Sequence, residues 1–301
     1  MNEFDKEYHK LLNDVISNGQ YTEDRTGTGC YSKIGGLMEF DLSKGFPLLT
    51  TKKINPNNIF GEALWFLSGK TDLPSLREYS NKEEGSHTIW CDDFEKFWCS
   101  TGAFPVEEGG NIYGKQWRNK AVAHPLEPWI VKHDQIVTLL DNIASVVSGD
   151  FTQARRLIVD SWDAFSHTKD KEFAALPACH DSFQCIITGS DTLNLRFHMR
   201  SNDLFLGGAY NIASYAFIAH VFAQLTGLKV GKLVYFGTDI HLYSNHIEQV
   251  KLQLSREGSD ELPQLVIPEF NTLEELLKLT AQDFKIDNYF PDAFIKAPQA
   301  S

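Results

Sequence analysis

Cys179 stands behind Pro177-Ala178 and directly before His180. The chain then adds Arg200-Ser201-Asn202-Asp203, and Asn211 at the start of an apolar run. Each type supplies different chemistry. A thiolate is a strong nucleophile once nearby positive charge favours its ionised form. A guanidinium offers fixed N–H donors suited to a phosphate. A side-chain amide presents an acceptor beside donors, as the edge of a planar base requires. Together they point to covalent chemistry on a nucleotide. A lone cysteine is more often an inert buried residue, and an asparagine before an apolar helix is more often its N-cap. The combination carries the reading.

The elements that must position these groups follow from periodicity. Phe4, Tyr8, Leu11, Leu12, Val15 and Ile16 recur at helical spacing, so the N-terminal segment is an amphipathic helix. Residues 57–68 predict a helix with Ile59, Phe60, Leu64 and Leu67 on one face, and 134–148 predict another. Strand character marks 29–42, Leu157–Trp162, Phe183–Thr188, Thr192–Met199 and 230–237, with a hairpin-like turn at Gly189-Ser190-Asp191. The run 211–228 is broken by Asn211, Ser214, His220, Gln224 and Thr226, so it reads as a buried central helix and not a membrane span. Residues 99–111 read as an exposed loop and 241–255 as a polar helix. This mix predicts an α+β fold, one domain over 1–301, without repeats or linkers.

Composition narrows the partners. The formal net charge of -12 argues against general nucleic-acid binding, DNA included. Five cysteines without CxxC spacing indicate neither a disulfide framework nor a zinc site. The N-terminus has no signal-peptide pattern, and a cytoplasmic location is expected. Gly207-Gly208 lacks the context of a dinucleotide loop, and no metal, flavin or nicotinamide site is indicated.

Further blocks are DRTGTG at 24–29, FPLLTTKK at 46–53, EALWFLSGKT at 62–71, YGKQWR at 113–118, ARR at 154–156, DIHLYSNH at 239–246 and IKAP at 295–298. In these blocks and their order the chain resembles the thymidylate synthase family. The resemblance implies a mixed sheet flanked by helices, with the sheets of two subunits packed back to back in a homodimer. It also implies dUMP as substrate and 5,10-methylene-tetrahydrofolate as co-substrate.

Residue roles follow from the same resemblance. Cys179 would add to C6 of the uracil ring, making C5 nucleophilic. Arg25, Arg155, Arg156, Arg200 and Ser201 match phosphate-binding positions, with Arg155 and Arg156 reaching into the other subunit's site. Asn211 would read O4 and N3–H of uracil; relatives acting on cytosine carry aspartate there. His241 and Tyr243 match the 3′-hydroxyl positions. Glu62 would order water and move protons, and burial would raise its pKa toward a useful range. Tyr113 would stand near the C5 proton, while His180 reads as structural or water-ordering. On the cofactor side stand Asp203, Trp90, Leu206, Tyr210 and Lys52, the last as a cation for the folate tail. An inactive nucleotide- or RNA-binding homologue is the contrasting reading, disfavoured by the joint presence of Cys179, Glu62 and Tyr113.

Some positions depart from the family pattern. Gly-x-Pro-Phe-Asn is here Gly207-Gly208-Ala209-Tyr210-Asn211, and Ile-Trp-Asp is Ile89-Trp90-Cys91, followed by Asp92-Asp93. Gln-Arg-Ser is Met199-Arg200-Ser201, and the end reads Pro298-Gln299-Ala300-Ser301. A more polar lid would admit water to the one-carbon intermediate. The expectation is therefore 5-hydroxymethyl-dUMP as product, with ordinary thymidylate synthesis as the alternative.

Overall fold

Alternating side chains build the sheet that carries the site. In the strand Thr192–Asp203, Leu193, Leu195, Phe197 and Met199 are buried, while Asn194, Arg196 and His198 take the opposite face. A computed structural model describes residues 1–24, 26–102, 105–127, 129–168 and 171–299. Six strands form one sheet: β1 (Gln20–Thr22), β2 (Cys30–Asp41), β3 (Ile158–Asp160), β4 (His180–Thr188), β5 (Thr192–Asp203) and β6 (Lys229–Tyr243). Their spatial order is β1-β2-β6-β5-β4-β3. Only the β5–β6 pair is parallel; the other pairings in this sheet are antiparallel. A parallel pair needs a long crossover, and the helix Ala209–Thr226 supplies it.

Helices that border the site include α1 (Glu3–Asn18), α2 (Pro56–Ser68) and α3 (Ala209–Thr226). Asn55 caps α2 by accepting from the Asn57 N–H, Pro56 opens it, and Gly69 ends it at φ 79°. Besides the expected face, Gly61, Ala63, Trp65 and Phe66 are buried, so the 59–67 stretch of α2 is apolar almost all round, with Glu62 as its one polar residue. Leu204–Thr226 is long and apolar enough to cross a membrane, but it is mostly buried inside the fold and serves as the core helix. One contiguous apolar core runs from Phe4 to Ile295. The fold is α+β, a mixed sheet flanked by helices.

Two expectations are corrected. Residues 99–101 are the last turn of a helix, Cys91–Thr101, held down by buried Phe94 and Phe97. Farther along, the Gly109 N–H donates to Thr71 O at 2.9 Å, and a Cβ on Gly109 would come within 2.4 Å of the Phe94 ring. That end of the expected loop is packed core. Residues 241–255 are not one helix either. β6 runs through His241 to Tyr243, and only Ile247–Leu254 is α-helical, after a 3-10 turn at Ser244–His246.

Candidate active site

A register shift between His180 and Ser182 opens β4. Phe183 and Cys185 point into the core, so regular alternation would bring Asp181 inward too. The irregularity instead turns His180 inward and leaves Asp181 to meet His198 Nδ1 on the outer face at 2.6 Å. Inside, the His180 ring stacks on Tyr113 with centroids 3.8 Å apart, and its Nδ1 lies 2.8 Å from the Tyr215 hydroxyl. Burial pushes the His180 pKa down to about 3, so the ring is neutral and a poor proton acceptor. Burial, and then the nearby Cys179, raise the Tyr113 phenol well above its ordinary value.

This packing holds the backbone at Cys179. The Cys179 N–H donates to the Tyr113 hydroxyl oxygen at 2.7 Å, and Cys179 is partly accessible. Arg200 closes the other side. Its N–H donates to Cys179 O at 2.7 Å, its Nε donates to Ala178 O at 3.2 Å, and its guanidinium lies 5.1 Å from the Trp162 ring centroid. The sequence-predicted nucleophile and one predicted arginine therefore share a corner.

Glu62 and Trp90 form a second pair. The indole Nε1–H donates to Glu62 Oε1 at 2.6 Å. Trp90 sits edge-on to Trp65, Phe66, Phe94 and Tyr113. Burial raises the Glu62 pKa against the opposing Trp90 hydrogen bond. Cys91 points away from this wall: its sulfur accepts from the Thr88 N–H at 3.2 Å and lies 3.9 Å from Arg77.

The turn Leu204–Gly208 has π geometry. Asp203 caps it, its Oδ1 accepting from Phe205 N at 3.0 Å and Leu206 N at 3.1 Å. Leu206 and Tyr210 are partly accessible. Asn211 is inside α3 and is not its N-cap, because the helix starts at Ala209. Lys52 is buried, and its ammonium donates to Phe205 O at 2.5 Å. Burial lowers its pKa to about 8, opposed by Asp203.

On β6, His241 lies beside Asp203 of β5, and its ring meets Tyr243 edge-on at 5.4 Å. Burial pulls the His241 pKa down, but Asp239 and Asp203 outweigh it and the net shift is upward. Ser201 pairs with Asp239 across the same strands. Arg155 and Arg156 are exposed just before edge strand β3. Arg25 lies outside the described residues, as do Ala300 and Ser301. The sequence reading assigned no role to Tyr215, Trp162 or His246. His246 is buried, with Nε2 2.7 Å from Pro298 O. Among the described residues no cluster of three or more His, Cys, Asp or Glu could hold a metal.

Known proteins match the same blocks. The family model described as "Thymidylate synthase" matches residues 6–301. A protein of Escherichia phage T5 named "Probable thymidylate synthase" is 40% identical over 299 residues, 98% of this chain and 100% of its own length. A match that runs nearly end to end, over the segments that build this corner of the sheet, means that the chain belongs to the thymidylate synthase family, whose enzymes transfer one carbon from methylene-tetrahydrofolate.

Proposed function

We propose that the protein methylates dUMP at C5 to give dTMP. The observation that carries this is the corner where Cys179 lies between the Tyr113 hydroxyl and Arg200. There the Cys179 sulfur would bond to C6 of the ring, and the C5–C6 electron pair would make C5 the nucleophile. Arg200 would favour the thiolate and, with Arg25, Ser201 and the partner's Arg155 and Arg156, hold the phosphate. Asn211 would match uracil, and His241 and Tyr243 the sugar. Glu62, with its raised pKa, would carry a proton to or from the ring and its ordered water.

The co-substrate fits the residues present. Trp90 and Leu206 offer an apolar wall, while Asp203 Oδ2 and Glu62 offer acceptors at its edges, as a flat hydrogen-bonding heterocycle needs. Methylene-tetrahydrofolate supplies the one-carbon unit and, for a methyl product, the hydride that reduces it. The wall supports the methyl product because Trp90 is 5% exposed among four aromatic rings, which excludes water. Cys91, one of the departures, does not belong to it. The name of the phage T5 relative points the same way.

The 5-hydroxymethyl product stays as second reading because of Tyr210. Its hydroxyl replaces a phenylalanine edge and lies by Asn58 and the Asn55 backbone, with Glu62 near enough to act on it. A water ordered there would compete with the hydride. The outer sheet face exposes Ile34, Leu37, Ile158, Ile186 and Phe236. A back-to-back dimer would cover them. The deciding assay gives the enzyme dUMP and methylene-tetrahydrofolate, weighs the nucleotide product and follows dihydrofolate by absorbance. Equal amounts of dTMP and dihydrofolate support the first reading. Hydroxymethyl-dUMP without dihydrofolate would replace it with the second.

A further inference from the structure

We propose that Asp5 is a positioning residue for the cofactor half of the site, because its carboxylate fixes the segment on which both α2 and the C-terminal strap 289–298 are seated. The proposal rests on the reading of the site as a methylene-tetrahydrofolate enzyme. An acidic residue in the first turn of a helix is ordinarily part of its cap. Asp5 does serve the cap of α1: its N–H donates to Asn2 Oδ1 at 2.9 Å, and its Oδ2 accepts from Asn2 Nδ2 at 2.8 Å. A cap carboxylate ordinarily stands in solvent, whereas Asp5 is 0% exposed. Burying a carboxylate is costly unless donors surround it. Here they come from Thr50 and Thr51, 45 and 46 residues farther along the chain. Oδ1 accepts from the N–H groups of Thr50 at 3.1 Å and Thr51 at 3.4 Å and from the Thr51 hydroxyl at 3.3 Å, and Oδ2 accepts from the Thr50 hydroxyl.

The segment so held has two dependants. One is the strap. The Asp292 N–H donates to Thr50 O at 2.7 Å, and the Lys53 N–H donates to Asp292 O at 3.0 Å. Arg256 Nη1 adds bonds to Thr51 O at 2.9 Å and Ala293 O at 2.6 Å. Farther on, the strap buries Ile295 and reaches the Pro298 carbonyl beside His246 Nε2. The other dependant is α2. The segment leads through Ile54 to the Asn55 cap of this helix, which carries Glu62. Tyr289 of the strap joins the two, its hydroxyl oxygen accepting from the Ile54 N–H at 2.8 Å. Burial raises the Tyr289 pKa against the Ile54 bond, and nearby Tyr210 and Asp5 add to the rise. These contacts lead to Glu62 and Tyr210, on the cofactor side, and not to the Cys179–Arg200 corner. An amide at position 5 would meet the threonine donors with donors of its own and leave buried N–H or O–H groups unpaired.

The test compares full-length wild type with Asp5→Asn and, as a control for general destabilisation, Leu12→Ala. Leu12 is a buried residue of the same helix with no part in these hydrogen bonds. The first readout is amide hydrogen exchange in ligand-free protein. In Asp5→Asn, exchange at Thr50, Lys53 and Asp292 should rise about tenfold or more relative to the amides of α3. The second readout is KM. For methylene-tetrahydrofolate it should rise about tenfold, while dUMP affinity stays within about twofold. Leu12→Ala should lower the thermal midpoint without producing either selective change. Exchange in Asp5→Asn that is unchanged, or raised equally throughout the chain, would overturn the proposal. So would an equal loss of dUMP affinity, or a Leu12→Ala chain that reproduces the split. Exchange can be read without turnover, so a wild type inert toward dUMP and methylene-tetrahydrofolate would refute the functional reading and leave the role of Asp5 in holding the segment decided by exchange. Should Asp5→Asn fail to fold, Thr51→Val, which removes one hydroxyl donor and leaves the carboxylate, gives the same comparison.

Discussion

Glu62 and His180 lie on opposite sides of the same proton balance. Burial raises the Glu62 pKa, so the folded protein holds its proton more tightly than the unfolded chain does. As pH rises from the ordinary carboxylate value through the folded one, the fold must bear a half-buried negative charge and loses stability. Glu62→Gln should therefore raise the thermal midpoint at pH 7 to 8 while lowering kcat by about a hundredfold or more. A lowered midpoint would show that the carboxylate stabilises the fold. His180 behaves in reverse. Its pKa of about 3 means that the folded ring refuses a proton which the unfolded chain accepts near about 6.5. Stability should fall by about 1.4 kcal/mol per pH unit as pH drops below that value, and His180→Gln should remove one proton from this slope. Urea unfolding at several acidic pH values checks it; equal slopes would mean that the ring is not held neutral. The types and company of Cys179, Arg200 and Glu62 were legible in the sequence. The neutral His180 and the buried Lys52 were not, because each depends on side chains brought in from distant segments.

At the scale of elements, pairing overrides local polarity. His241 and Tyr243 read as part of a polar helix, yet β6 is hydrogen-bonded to β2 on one side and β5 on the other through His241. Long-range pairing of that kind leaves no local signature. The irregularity at His180 is equally silent in the sequence, although it decides which side chain faces the core. By contrast α1, α2 and the β4–β5 hairpin were legible from apolar residues that recur at their own period, and α3 from a long apolar run. The Gly109 segment shows what a turn-rich composition hides. Gly109→Ala would drive a Cβ into the Phe94 ring, and overpacking of this kind costs about 1–3 kcal/mol. A fall in thermal midpoint of several degrees is expected. An unchanged midpoint would mean that the segment is as loose as its composition suggests.

For the whole molecule, the exposed apolar sheet face and the exposed Arg155 and Arg156 pose one question, whether a second copy completes the site. If it does, Cys179→Ser and Arg156→Glu chains, each inactive alone, should complement one another. In the mixed dimer one site regains both the thiol and the arginine. Random exchange at equal amounts should return about a quarter of wild-type activity. No recovery after demonstrated subunit exchange would count against shared sites. The expectation of a dimer rests on family resemblance alone, since a single chain shows an uncovered face and not what covers it. The charge of -12 fits this arrangement, with anion binding confined to clustered arginines.

The central claim is that Cys179 is the nucleophile toward a uracil nucleotide. Mass spectrometry of the protein incubated with 5-fluoro-dUMP and methylene-tetrahydrofolate tests it most directly, because the fluorine blocks loss of the C5 substituent. The expected result is one covalent adduct carrying both nucleotide and folate, mapped to the peptide containing Cys179 and absent in Cys179→Ser. An adduct on another cysteine, or one that survives Cys179→Ser, would contradict it.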